Sequence, residues 1–311
     1  MALTLIESSA IALGRDETVI VGTVMEIYAR SSMLLSVIPF EDMQGNAYKF
    51  NRESSLPSTA FRGVNEAYAE STGKVDPVTE SLAIAGGDID IDNFLLKTGG
   101  PGQRETQESM KIKSLALNMT KYIVKGDSST EIKAIDGLQV RATGNQLIAA
   151  GSTANGTPLS LAKLDELIDA VDNPTHLVMN KTLIRKLTAA ARTTAVGGFI
   201  TWEKDEFGRR IAFYNDLPLI AVEEDSTSTA ILGFTEAASS GTSTGTSIYC
   251  VRFAEDGVKG LQNADMEIRD LGELQTKPVV RSRVEWFITL AQMQEKALAR
   301  LWTISNAAVT L

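Results

Sequence analysis

The chain has 311 residues, 43% of them hydrophobic and 22% charged, a composition typical of a soluble globular protein with a large core. Its net charge of −9 argues against a dedicated nucleic-acid-binding protein, because such proteins usually present a basic face. A single cysteine, Cys250, excludes an internal disulfide and a multi-cysteine zinc site. With no long apolar run and no signal-like N-terminus, the chain is predicted to be neither membrane-spanning nor exported, and its length predicts about two domains.

The first forty residues are predicted to contain an arm, a helix and a short strand. Residues 1–15 show no firm period, which indicates an N-terminal arm. Asp16 can cap a helix that ends before Ser31, since four apolar residues between them share one face. Met33–Ile38 is a short apolar run stopped by Pro39, which predicts a strand.

A projecting hairpin is predicted between Glu41 and Leu96. Ala47–Asn51 alternates like a strand, a polar tract follows at Arg52–Thr59, and a second extended arm returns at Ser81–Phe94. Two arms joined by a long polar excursion predict a protrusion rather than a compact core. Because a structureless loop of this length is uncommon inside a compact domain, we expect the excursion to be supported by something outside the monomer.

A single long amphipathic helix is predicted at Gln103–Lys125. Breakers precede it at Thr98–Gly102, and Gly126 stands where a helix can end in a left-handed residue. At about 1.5 Å per residue the helix would be roughly 34 Å long, about twice the usual length in a globular domain. It can be a core helix of a large domain or a rigid strut between parts built from distant segments, and periodicity favours neither. Its apolar face consists of Ile112, Leu115, Ala116, Met119, Tyr122 and Ile123.

A mixed α/β domain of roughly 140 residues is predicted to follow this helix. Thr157 and Pro158 form a cap and first-turn pair for one helix, and Asn180 caps a second helix after a short strand at His176–Met179. The buried stripes of the two helices are Leu161, Leu164, Leu167, Ile168 and Val171 in the first and Leu183, Ile184 and Leu187 in the second. Further strands are predicted at Arg210–Tyr214, Leu217–Val222, Ile231–Phe234, Ser247–Phe253 and Met266–Leu271, with a flexible loop at Thr235–Thr246.

The last segment is predicted to be a pair of strands. Apolar and polar residues alternate from Val280 to Leu290, which indicates a long strand with one wet face. A turn near Gln292–Lys296 then leads to a partner strand at Ala297–Ile304.

No residue is predicted to be catalytic, to bind a cofactor or to ligate a metal. The only histidine, His176, begins an apolar strand and Cys250 lies in the middle of another, so both are interpreted as structural. The DIDIDN sequence at Asp88–Asn93 resembles the start of a calcium loop but lacks its glycine and its final glutamate, so strand alternation explains it better. The GGPGQ turn at Gly99–Gln103 lacks the lysine and the glycine spacing of a phosphate-binding loop. The solvated face of a helix is expected to hold Asp165, Glu166 and Asp169.

Three stretches carry a resemblance to a known family. They are GRRIAFYNDLPLIAVEED at Gly208–Asp225, IYCVRFAEDGVKG at Ile248–Gly260 and KPVVRSRVEWFITLAQMQEKALARLWTI at Lys277–Ile304. With the order of elements before them, they resemble the major capsid protein of tailed bacteriophages, the Hong Kong 97-type fold that encapsulins share. The resemblance implies an α+β fold with an N-arm, an extended E-loop hairpin, a long spine helix, and peripheral and axial domains. The N-arm would be Met1–Ile38, the E-loop Pro39–Lys97, the spine helix Thr98–Thr130, the axial domain Glu131–Thr276 and the peripheral return strands Lys277–Leu311.

The resemblance also implies a function, that of a structural, non-enzymatic subunit. Such subunits assemble through pentamers and hexamers into the icosahedral shell of a virion around phage DNA, and each E-loop lies on a neighbouring subunit. The expected partners are other copies of the chain, a separate scaffolding protein or none, a portal, decoration proteins and DNA contacted non-specifically, with no membrane and with assembly in the bacterial cytoplasm. An encapsulin-type shell around protein cargo and an α/β enzyme are the alternatives.

Some members of this family cross-link an E-loop lysine to an asparagine of a neighbouring subunit. Lys49 and Lys74 lie in the proposed E-loop, but no motif marks either of them, and no cross-link is predicted.

Overall fold

The structure, a computed structural model, describes residues 32–99, 102–192, 199–204, 210–238, 241 and 244–310. The predicted N-terminal arm and the helix expected to begin at Asp16 lie outside these residues. The described strands form sheets of five, seven and two strands. In this part of the chain, no helix has both the length and the apolar character needed to cross a membrane.

The described chain contains six α-helices and fourteen strands. The helices are α1 (Met33–Val37), α2 (Asn93–Gly99), α3 (Gly102–Lys125), α4 (Leu138–Arg141), α5 (Leu161–Asp169) and α6 (Lys181–Ala191). The strands of the first half are β1 (Phe40–Asp42), β2 (Ala47–Ser55), β3 (Lys74–Ser81), β4 (Ala83–Asp92) and β5 (Leu147–Ala149). The later strands are β6 (His176–Asn180), β7 (Ile200–Lys204), β8 (Arg210–Tyr214), β9 (Leu217–Val222), β10 (Thr246–Val251), β11 (Val258–Gln262), β12 (Glu267–Glu273), β13 (Val279–Gln292) and β14 (Leu298–Ile304).

Helix α3 confirms the predicted long amphipathic helix. Ile112, Ala116, Met119 and Ile123 recur on one face and are each at most 4% exposed. Their core cluster contains side chains from β13 and also from β6, β9 and β10, which belong to a different sheet. The helix is therefore a core helix that joins the two larger sheets, and both interpretations of its length are partly correct.

Gly126 ends this helix for a different reason than predicted. Its φ is not among the positive values found in the described residues, so it is not a left-handed cap. A Cβ atom at this position would instead collide with the carbonyl oxygens of Tyr122 and Ile135. The glycine is required because two backbone segments approach closely, which periodicity does not reveal.

The long strand β13 organises the five-stranded sheet. It pairs antiparallel with β4, β11 and β12, and β1 adds to β11 in parallel. Val284, Trp286, Ile288 and Leu290 point to the core, each at most 3% exposed. This alternation confirms the predicted strand with one buried face.

The seven-stranded sheet has the order β5-β14-β10-β6-β9-β8-β7. Helices α5 and α6 cover it, and their leucines Leu164, Leu167, Leu183 and Leu187 are at most 1% exposed. Asn180 caps α6 as predicted, because its side-chain oxygen accepts the N–H of Thr182 at 2.6 Å.

Met33–Ile38 forms a helix and not the predicted strand. The Ser32 hydroxyl oxygen accepts the N–H of Leu35 at 3.5 Å, and the N–H of Ile38 donates to the carbonyl of Leu34 at 3.3 Å. Leu34 and Leu35 are buried in the cluster of α3. A short apolar run is compatible with a helix or a strand. The polar cap and the burial of the two leucines stabilise the helix here.

The predicted arms of the hairpin are divided between two sheets. Strand β2 pairs with β3, so that Phe50 lies opposite Val78, and these two strands form a sheet of their own. The expected second arm, Ser81–Phe94, is wrong as a hairpin arm because it forms β4, which pairs with β13. Alternating aspartate and isoleucine indicate a half-buried strand, but they do not identify its partner.

Strand β14 is not the partner of β13, contrary to the prediction. After a 3₁₀ turn at Glu295–Ala297 it enters the seven-stranded sheet between β5 and β10, where Arg300 lies opposite Tyr249. Leu298 and Leu301 are fully buried there. Since β11 and β12 lie beside β13, the expected division after Thr276 does not follow the sheets.

Two local predictions need smaller corrections. Helix α5 begins at Leu161, whereas Thr157 pairs with the C-terminal strand, its N–H donating to the carbonyl of Thr303 at 2.8 Å. Ile231–Phe234 is a turn whose buried Leu232 carbonyl accepts hydrogen bonds from neighbouring side chains instead of from a sheet. The strands that periodicity did not predict are Phe40–Asp42, Lys74–Ser81, Leu147–Ala149, Ile200–Lys204 and Val258–Gln262.

Candidate assembly interface

The hairpin of β2 and β3 carries a large exposed apolar surface at its tip. Every residue from 53 to 77 is exposed. Among these residues Leu56, Phe61, Val64 and Tyr68 are between 67% and 107% exposed. Exposed apolar residues that cluster in one projection, rather than lying scattered, indicate a surface that binds a partner.

The base of the hairpin is fixed to the body by a nearly buried ion pair. Arg141, at the end of α4, donates to both carboxylate oxygens of Glu80 in β3, at 2.6 and 2.9 Å, and to the carbonyl of Leu290 at 2.8 Å. The side chains of Arg141 and Glu80 are 8% and 15% exposed. Because the contact has two hydrogen bonds, it fixes the orientation of the two side chains as well as the distance between α4 and β3.

Two further cations connect the hairpin to the body, one of them on the hairpin and the other on β11. Arg52 of β2 donates to the carbonyl of Gln292 at 2.5 Å. Lys259 of β11 pairs with Glu41 and donates to the Tyr48 hydroxyl at 3.3 Å. Because three separate elements hold its base, the hairpin leaves the body in one direction without help from a neighbour.

A second set of ion pairs joins β4 to β13. Arg283 donates to Asp88 at 2.7 and 3.1 Å, and Arg281 donates to Asp90 at 2.6 and 2.7 Å. The hydrogen bonds from Arg283 and Arg281 lower the pKa values of Asp88 and Asp90 respectively. The aspartates of DIDIDN are therefore strand residues that select the register of β4, as predicted from their alternation.

The two residues considered for nucleophilic or acid–base chemistry lie in separate structural settings. His176 opens β6, its Nδ1 lies 2.9 Å from the Thr175 hydroxyl, and burial lowers its pKa to about 4. Cys250 is fully buried in β10, and burial raises the pKa of its thiol to about 12. Neither group is poised to react near neutral pH.

The remaining residues singled out in the sequence lie on the surface. Asp165, Glu166 and Asp169 are exposed on α5 as predicted, with Asp165 accepting the Tyr214 hydroxyl at 2.8 Å and Glu166 pairing with Lys163. Lys49 and Lys74 are exposed on the hairpin strands. Part of the GGPGQ turn lies outside the described residues. Within the described ranges, no three histidine, cysteine or acidic side chains are grouped so as to hold a metal ion.

Comparisons with known proteins identify the fold. No family model matches the chain, and no curated protein matches its sequence. Solved structures do match over most of their length. The SrpI encapsulin of Synechococcus elongatus PCC 7942 aligns with a TM-score of 0.64, 17% identity and coverage of 90% of this chain and 89% of that chain.

Phage-type shells align equally well. The capsid of the native GTA particle gives a TM-score of 0.62 at 14% identity, covering 88% of this chain and 91% of its own. A chain from Mycobacterium phage Bobi aligns with a TM-score of 0.60 and 10% identity, and the alignment covers 87% of this chain and 89% of that chain. The chain has the Hong Kong 97-type fold.

In this Hong Kong 97-type chain, the sequence predicts the first strand of the hairpin and its polar tract, but it identifies neither the second strand nor the residues that fix the base. Arg141 and Glu80 are 61 residues apart and belong to no motif. Only the tertiary structure brings them together, because Arg141 lies at the end of a short helix that the sequence pattern does not predict.

Proposed function

We propose that this protein is a self-assembling shell subunit, the major capsid protein of a tailed phage. The observation that supports this proposal is the rigidly based hairpin with an apolar tip on a chain of Hong Kong 97-type fold. In an isolated monomer the four apolar tip residues face water. Covering them on a neighbouring copy contributes roughly 25 cal/mol per Å² of apolar area.

The hairpin of each subunit would lie on the body of the next. This contact joins two different surfaces, so it closes into rings when the rotation between subunits is a fraction of a full turn. Pentamers and hexamers are such rings. The apolar tip could pack against an exposed apolar surface on the neighbouring subunit. Three exposed side chains on elements that contact one another supply such a surface: Ile84 of β4, Phe94 of α2 and Met110 of α3.

The proposed domain roles follow the sheets. Helix α3 and the five-stranded sheet form the peripheral part, and the seven-stranded sheet forms the axial part whose loops meet at the ring centre. The shell would enclose phage DNA without binding it tightly, which agrees with the net charge of −9. Scaffolding and portal proteins would be separate chains in this scheme.

An encapsulin-type shell around protein cargo is the second candidate. The alignment with the SrpI encapsulin, which covers nine-tenths of each chain, favours it as much as the phage alignments favour a capsid. The two candidates share the assembly geometry and differ in what the shell contains.

One experiment tests assembly and contents together. The full chain is expressed in bacteria, purified without denaturant, and analysed by electron microscopy and sedimentation velocity. Closed shells, tubes or capsomer-sized rings are expected, and nuclease-protected DNA or co-purifying protein inside them distinguishes a capsid from an encapsulin. A monomer or dimer that stays dispersed under crowding agents and at high concentration would contradict the proposal.

A matched variant locates the assembly contact. Replacing Leu56–Gly73 by Asn-Gly keeps β2 and β3, because Ser55 and Lys74 are already paired and a two-residue turn can join them. This variant is expected to remain folded and to lose shell formation. If it assembled normally, the tip would not be the contact that holds the subunits together.

A further inference from the structure

A groove of about 820 Å³ lies on the seven-stranded sheet, away from the hairpin. One wall is α6 and the other is the β7–β8 pair. Its floor is apolar and includes Ile184, Ile200 and Leu219. The volume is in the range of well-formed binding sites.

The rim of this groove is basic in an otherwise acidic protein. Lys181, Arg185, Arg192 and Arg210 line it, and the described lining residues include no aspartate or glutamate. Lys181 is neutralised by Glu223 at 2.6 Å. Among the described residues, no ion pair joins Arg185 or Arg192 to a carboxylate, and both side chains are exposed.

The spacing of the cations defines what can fit. Arg185 and Arg192 are seven residues apart, and Arg192 keeps helical backbone angles of −80° and −13° as the C-cap of α6. Both therefore lie on one helix face, about 10 Å apart along its axis. Across the groove the guanidinium of Arg210 lies over the Trp202 ring, 5.4 Å from its centroid, where it can still bind a carboxylate.

We propose that this groove binds an acidic amphipathic helix of a partner protein. Its apolar face would cover the floor, and carboxylates seven residues apart would pair with Arg185 and Arg192, with a third reaching Arg210. Helices bind grooves in this way through apolar anchors at helical spacing. The proposal concerns a surface distinct from the hairpin and does not depend on shell assembly.

A nucleic acid fits the groove less well. Phosphates would gain from the three arginines but nothing from an isoleucine and leucine floor. The apolar floor therefore favours a polypeptide.

The test uses the full-length protein and three fluorescent probes in anisotropy titrations. The first probe is a synthetic helical peptide with leucines on one face and glutamates seven residues apart on the flanks. The second replaces every glutamate with lysine, and the third is single-stranded oligothymidylate. We expect saturable binding of the glutamate peptide alone, weakening as salt is raised, with a Kd on the order of 10–100 μM.

Two variants locate the binding. Arg185→Glu combined with Arg192→Glu should weaken binding of the glutamate peptide at least about tenfold and should create binding of the lysine peptide. Lys133→Glu, an exposed charge reversal outside the groove, should leave affinity within about twofold and serves as the matched control. Circular dichroism checks that both variants are folded.

Three outcomes would overturn the proposal. They are no saturable binding of the glutamate peptide at about 1 mM, equal binding to the double variant, and preferential binding of oligothymidylate.

Discussion

Arg141 donates to both carboxylate oxygens of Glu80, at 2.6 and 2.9 Å, and thereby ties α4 to the second strand of the hairpin. The same guanidinium reaches the carbonyl of Leu290 in β13. One side chain thus sets the angle between the hairpin, a helix and the five-stranded sheet. The direction of the hairpin is built into the monomer before any neighbour binds.

Replacing Glu80 with glutamine should destabilise the monomer. The change leaves the Arg141 charge buried without a counter-ion, and breaking a buried pair in this way costs about 3 kcal/mol. Urea unfolding followed by circular dichroism measures the loss. Glu223→Gln, which breaks the exposed pair with Lys181, is the control and should cost less than about 1 kcal/mol. Equal effects of the two changes would mean that the Arg141 pair has no special role.

Polar substitutions at the hairpin tip should affect assembly but not folding. Changing Leu56, Phe61, Val64 and Tyr68 together to serine removes apolar area that the monomer leaves in water, so the free energy of unfolding of the monomer should change by less than about 0.5 kcal/mol. Shells or rings should disappear in sedimentation velocity. A large loss of monomer stability would instead show that the tip packs on its own body.

His176 should make stability fall as the solution is acidified from pH 6.5 toward pH 4. Burial lowers the pKa of this histidine from 6.5 to about 4, so the unfolded chain binds a proton in this range while the folded chain does not. Stability from this group is therefore full above pH 6.5 and lost as pH approaches 4. The measurement is the urea midpoint of wild type and His176→Gln at several pH values. The difference between them should vary with pH in this window only, and a difference independent of pH would contradict the assignment.

The carboxylates of β4 should affect the stability of the protein at lower pH than His176 does. Hydrogen bonds from Arg283 and Arg281 lower the pKa values of Asp88 and Asp90 below the ordinary 3.8, so their contribution is present above that pH and is lost as pH falls through the folded values. Asp88→Asn combined with Asp90→Asn should reduce the urea midpoint at pH 7, and the deficit should shrink toward pH 3. Asp169→Asn, on an exposed helix face, is the control and should show no such convergence.

The elements that could be predicted from the sequence are those that depend on hydrophobic periodicity and on helix capping. The long helix α3 and the long strand β13 followed from apolar residues at helical and alternating spacing, and the cap at Asn180 followed from its side chain. The first hairpin strand followed from the alternation at Ala47–Asn51, whereas the second strand was placed wrongly at Ser81–Phe94. Short apolar runs such as Met33–Ile38 were misassigned, because burial and a cap decide between helix and strand there.

Strand partners and the charges that choose them were decided by the tertiary structure alone. The alternation of Asp88 and Asp90 is the same whether β4 closes the hairpin or joins β13. Pairing with β13 places Arg283 and Arg281 opposite these aspartates and buries Ile91. Likewise β14 pairs within the seven-stranded sheet and not with β13, because Leu298 and Leu301 are fully buried in that position. The sequence by itself determined the periods, the cap at Asn180 and the acidic balance. The tertiary structure decided pairing, the direction of the hairpin and the basic groove, because these depend on contacts between residues far apart in the chain.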